Sequence, residues 1–124
     1  MTLLPHPDLD QITLPNVLAS LGDETRLAII GFLARHEDLG MTCNQFCGLA
    51  SKTNLTYHVG KLREAGVVNV RAEGTRRRVS LRRDDLDSLF PGFFDTVINN
   101  ALAMPVVANY DASISDDTAD LPEF

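Results

Sequence analysis

Residues Ser51 to Gly66 read SKTNLTYHVGKLREAG, and their spacing decides the fold. Leu55, Val59 and Leu62 fall at i, i+4 and i+7, which puts one apolar stripe along one side of a helix. Ser51 or Thr53 can cap its start, and Gly66 supplies a left-handed stop after about Ala65. The other side has a different chemistry. Lys52, Asn54, Thr56, Tyr57, Lys61 and Arg63 line it, with Thr53 and His58 beside them. A helix is about 10–12 Å across, which matches the major groove of DNA. Such a face offers an amide and an imidazole to base edges, and hydroxyls and amines to phosphates.

Past Gly66 the period changes. In VVNVRAEGTRRRVSLRR, Val68 and Val70, then Val79 and Leu81, alternate with polar residues, and Gly74-Thr75 can turn the chain. The segment predicts a β-hairpin whose tip carries Arg76, Arg77 and Arg78. Asp84 can then cap a helix over DDLDSLF. Pro91-Gly92 interrupts it, and FFDTVINNALA resumes before Pro105. Upstream, Pro15 suits the first turn of a helix over LPNVLASLG. Asp23 is a good cap for DETRLAIIGFLARH, in which Leu27, Ile30 and Leu33 or Ala34 recur on one face. EDLG breaks that pattern, and Thr42 can cap a short helix over CNQFCGLA. The fold class read from this order is mainly α with a small β-hairpin, a winged helix-turn-helix. Residues 1–11 form a loose N-terminal arm, 12–104 the domain, and 105–124 an acidic C-terminal tail.

Charge follows the same division. The chain of 124 residues has a net charge of −6. Residues 52–83 hold nine Lys and Arg against Glu64 and Glu73, a net of +7, so the remainder carries −13. A basic segment on an acidic background points to a polyanion at one face. No apolar run is long enough to cross a membrane. The N-terminus has no basic patch followed by an apolar stretch, so a cytoplasmic location with no membrane partner is expected. In that compartment Cys43 and Cys47 are reduced. With no Gly-rich phosphate loop, nucleophile–base pair or metal triad, the sequence does not read as an enzyme, and no cofactor or metal is expected.

Three stretches, LGDETRLAII, HVGKLREAGVV and AEGTRRRVSLRRDDL, resemble the ArsR family of bacterial transcriptional repressors, a likeness that runs from about Val17 to Phe94. The resemblance implies a homodimer joined through the first and last helices. Leu14, Val17, Leu18 and Leu21 would then meet Phe90, Phe93, Phe94, Val97, Ile98 and Leu102. The apolar surface of the last segment exceeds what one side of a small domain needs, which independently suits a seam. Two recognition helices would read an imperfect palindrome in double-stranded DNA, with half-sites about 34–36 Å apart. Repression would be released by an inducer not identified by the sequence.

The family's metal sites are not reproduced. A C-x-C pair is absent because Cys43 and Cys47 have three residues between them, and no histidine follows His58. Two thiolates are too few for tetrahedral zinc. On one helical turn the two thiols form a redox candidate instead, set against the plainer reading that Cys47 packs in the core. The alternative to a DNA-binding regulator is a winged-helix protein-interaction module that uses its basic face on an acidic partner without specific DNA binding.

Overall fold

The computed structural model describes residues 6–35, 41–42, 52–74 and 76–108. The helix expected over CNQFCGLA, Cys43, Cys47, the Ser51 cap, Thr75 and the tail from residue 109 lie outside the described residues. A short 3₁₀ turn, Leu9–Gln11, leads into α1 (Leu14–Leu21) and α2 (Glu24–Ala34). Next come β1 (Met41–Thr42), α3 (Lys52–Ala65), β2 (Val68–Glu73) and β3 (Arg76–Leu81). Helices α4 (Arg83–Leu89), α5 (Phe93–Leu102) and α6 (Pro105–Ala108) complete the order. The three strands are antiparallel in the order β1-β3-β2, with Val70 opposite Val79 and Met41 also opposite Val79. This is a winged helix-turn-helix architecture. β1 was not expected, because two residues are too short to show an alternation.

Local chemistry accounts for the helix ends. Thr13 caps α1 by accepting from the Asn16 N–H at 3.3 Å, and Asp23 caps α2 by accepting from the Arg26 N–H at 3.1 Å. Asp84 does not cap α4; the helix starts one residue earlier, and Asp84 and Asp85 sit in its first turn, where acids complement the helix dipole. Gly66 ends α3 at φ +89°, and a Cβ there would lie 2.5 Å from Ile12 Cγ1. The chain therefore needs glycine twice over, for the left-handed turn and for the close approach of Ile12.

α2 is the central element. Ala28 to Leu33 are all buried, so the helix is enclosed on every side rather than along one stripe. It packs against α1, α3, α5, α6 and β3. Val107 of α6 is fully buried, and its methyls would come within 3.0 Å of a Cβ on Gly31. Val107, in the first turn of the expected tail, is thus part of the core. The described part of the arm is docked as well. His6 Nε2 accepts from the Val70 N–H of edge strand β2 at 3.0 Å, and Arg82 Nη1 donates to the Pro7 carbonyl at 2.9 Å.

The expected dimer residues divide by burial. Val17, Leu21, Phe94 and Ile98 belong to the chain's own core. Leu14 and Leu18 are exposed, Leu18 to 50%. Phe90, Phe93, Val97 and Leu102 are half-buried, and Phe93 and Val97 border an apolar groove of about 530 Å³ with Leu27 and Met104.

Candidate nucleic-acid interface

α3 is fixed by its inner stripe: Leu55, Val59 and Leu62 are buried, as their spacing predicts. Thr53, Asn54, Thr56, Tyr57, Lys61 and Glu64 are exposed, with Tyr57 exposed to 54%. Lys52 opens the helix. The outer surface is therefore polar, partly basic and open along four turns. Arg63 is half-buried, with its Nε enclosed and without a hydrogen-bond partner among the described residues.

One residue that the sequence reading left out organises this face. Arg26, in the first turn of α2, donates from Nε to His58 Nδ1 at 3.1 Å and from Nη1 to the Ser20 carbonyl at 3.3 Å. Its guanidinium lies 5.8 Å from the centre of the Tyr57 ring, and Lys61 Nζ lies 5.6 Å from the same ring. Tyr57 and His58 meet edge to face at 5.4 Å between centroids. His58 Nδ1 is also 3.8 Å from Asp23 Oδ2. Since Nδ1 accepts from Arg26, neutral His58 carries its proton on Nε2. His58 is thus half-buried and tied to α2, whereas its neighbour Tyr57 is exposed with two cations near its ring. The signal in the sequence was Arg26's isolation: only it and Arg35 are basic outside residues 52–83. Beside this cluster, Asn16, Ser20, Arg26, Lys61 and Glu64 border a polar cleft of about 430 Å³ between α1 and α3.

Gly60 breaks the pattern of α3. Glycine in a helix interior costs about 1 kcal/mol relative to alanine. Among the described residues, no atom beyond its own stretch of helix backbone and its two chain neighbours lies within 4 Å of where its Cβ would stand.

The hairpin is held next to α3 by its base. The Val67 N–H donates to the Leu62 carbonyl and the Arg82 N–H to the Val67 carbonyl, both at 2.9 Å. Val68, Val70 and Val79 turn one face to the core. Arg71 is directly across from Arg78 on the other face, and Arg77 pairs with Ala72 near the tip. Arg71 and Arg77 are exposed and Arg78 half-buried, while Arg76 opens β3. Arg71, part of the basic segment but not of the tip expected to carry Arg76 to Arg78, lies on the same face of the hairpin as Arg78. Two other arginines of the basic segment 52–83 are held by carboxylates. Arg82, with 8% of its side chain exposed, pairs with Asp85 at 2.9 Å, and Arg83 pairs with Asp95 at 2.7 Å.

An exposed polar helix beside a basic hairpin, both on a helical core, defines the class. A model of the helix-turn-helix domain family matches residues 21–71. The chain is 36% identical over 94 residues to YceK of Bacillus subtilis (strain 168), described as an uncharacterized HTH-type transcriptional regulator; the match covers 71% of this chain and 88% of the relative. The chain belongs to the helix-turn-helix transcriptional regulators and is a DNA-binding regulator of that type. Among the described residues, no helix is long and apolar enough to cross a membrane.

Proposed function

We propose that the protein is a sequence-specific repressor that reads double-stranded DNA with α3 and braces it with the hairpin. The observation that carries this reading is the row Asn54, Tyr57 and Lys61, exposed on a helix whose opposite stripe is buried. Asn54 has the geometry to address adenine with two hydrogen bonds, Thr56 can meet a base or a thymine methyl, and Tyr57 can reach either a base or a phosphate. Thr53, Lys52 and Lys61 serve the backbone, with Arg71, Arg76, Arg77 and Arg78 following a neighbouring strand. His58 and Arg63 act from the edge of the face.

The protein works as a homodimer of the ArsR kind on an imperfect palindrome. Exposed Leu14 and Leu18 and the apolar groove along α5 support a second copy as the occupant of those surfaces. An inducer, or oxidation of Cys43 and Cys47, releases the DNA. The test is selection of duplexes from a random pool, followed by binding of the selected duplex against the protein's own upstream DNA. Log affinity should fall linearly with log salt, at about 0.9 per phosphate neutralised. Preference over unrelated DNA should reach about 10³-fold. Asn54→Ala should relax preference at one base position, and Arg77→Ala should weaken all sequences alike. Peroxide should abolish binding and dithiothreitol restore it; a Cys43→Ser variant with full peroxide response removes that thiol from the switch.

A further inference from the structure

We propose that Gly60 is the point where the α3 backbone comes closest to the base edges in the major groove, so that the missing side chain is itself a specificity determinant. This rests on the reading above, in which α3 enters the groove.

An interior helical glycine is tolerated at a cost, and three arrangements make use of it: a left-handed backbone, a close internal neighbour, or a close external one. The first does not apply. Positive φ occurs among the glycines at Gly66, Gly74 and Gly92 and not at Gly60. The second does not apply among the described residues. A Cβ on Gly31 would meet Val107 at 3.0 Å and one on Gly66 would meet Ile12 at 2.5 Å, but a Cβ on Gly60 would stand in open space. Nothing in the described fold asks for glycine there, and helix propensity opposes it.

The surroundings say what approaches. Gly60 is one turn from Thr56, Tyr57 and Glu64, all exposed. The Tyr57 ring has Arg26 at 5.8 Å and Lys61 at 5.6 Å from its centre. Gly60 therefore leaves a notch in a row of polar side chains, with bare backbone at its floor. An apolar projection fits such a floor, and on a base-pair edge in the major groove that projection is the thymine C5 methyl. A Cβ at Gly60 would compete for the same volume.

The experiment compares wild-type protein, Gly60→Ala and Tyr57→Ala on the duplex that wild type selects and on mixed-sequence DNA. Gly60→Ala should raise Tm by several degrees, because alanine favours the helix. It should also weaken the selected duplex by about tenfold, the scale of an overpacked contact, and leave mixed-sequence DNA unchanged. Replacing thymine with deoxyuracil throughout the selected duplex should shrink that deficit. Unchanged affinity for Gly60→Ala alongside a loss for Tyr57→Ala overturns the role of Gly60 and leaves the α3 reading standing. Unchanged affinity for both removes the α3 reading and this inference together. A lower Tm assigns Gly60 to the fold, an altered oligomeric state assigns it to self-association, and an equal loss on both DNAs assigns it to the phosphate backbone; each of these overturns the proposal.

Discussion

At Arg26, one guanidinium spans three helices: it hydrogen-bonds the carboxyl-terminal end of α1 at Ser20 and His58 of α3, while its own backbone is fixed by the Asp23 cap of α2. Removing it strands the His58 acceptor and the Ser20 carbonyl, and takes a cation from the Tyr57 ring. Arg26→Ala should lower stability by about 1–3 kcal/mol in urea denaturation. Arg26→Lys keeps the charge but cannot present two donors in a fixed fork, so it should recover only part of the loss. A double-mutant cycle with His58→Ala should show coupling above about 0.5 kcal/mol; additive losses would mean that the hydrogen bond contributes nothing. Gly66 makes a second prediction at this scale. Gly66→Ala must hold a side chain at φ +89° and displace Ile12, so it should cost more than about 2 kcal/mol in the same assay. Adding Ile12→Ala should relieve the clash but leave the dihedral penalty, so the background Ile12→Ala should feel Gly66→Ala less than wild type does.

Elements with a strong period were legible in the sequence and short or enclosed ones were not. Leu55, Val59 and Leu62 announced α3, and the alternation around Val70 and Val79 announced the hairpin, because each has one face in the core and one in solvent. α2 was legible as a helix, but its enclosure was not: six consecutive buried residues carry no stripe, and only its neighbours reveal it. Charge was read in the same one-dimensional way, so Arg82 and Arg83 were counted toward the basic face although Asp85 and Asp95 hold them. The register of the hairpin, also invisible in one dimension, sets Arg71 opposite Arg78. Like charges directly across a ladder are destabilising, so the pair works against the hairpin's own stability. Arg71→Thr should therefore leave stability unchanged or raise it by a few tenths of a kcal/mol. It should also flatten the salt dependence of DNA binding by about one phosphate. An unchanged slope would exclude Arg71 from the phosphate contacts.

For the whole molecule, the question is how a chain of net charge −6 binds a polyanion, and the arrangement of charge answers it. The exposed cations on α3 and the hairpin occupy adjacent elements, while the rest of the chain is acidic. Such a distribution favours approach in one orientation and discourages nonspecific contact elsewhere. Two copies would double the basic surface and set two α3 helices on successive turns of the duplex, so assembly and affinity should be coupled. Leu18 tests that coupling well because it is half-exposed: replacing it removes nothing from the core. Leu18→Glu should leave the helical circular-dichroism spectrum intact and shift sedimentation equilibrium from dimer to monomer. Wild-type Tm should rise with protein concentration, as mass action requires of a dimer, and that dependence should vanish in the variant. On DNA, the variant should bind a two-half-site duplex no more tightly than a single half-site. A Leu18→Glu protein that stays dimeric would move the seam away from α1, and a wild-type chain that sediments as a monomer would leave the palindrome without its two-fold partner.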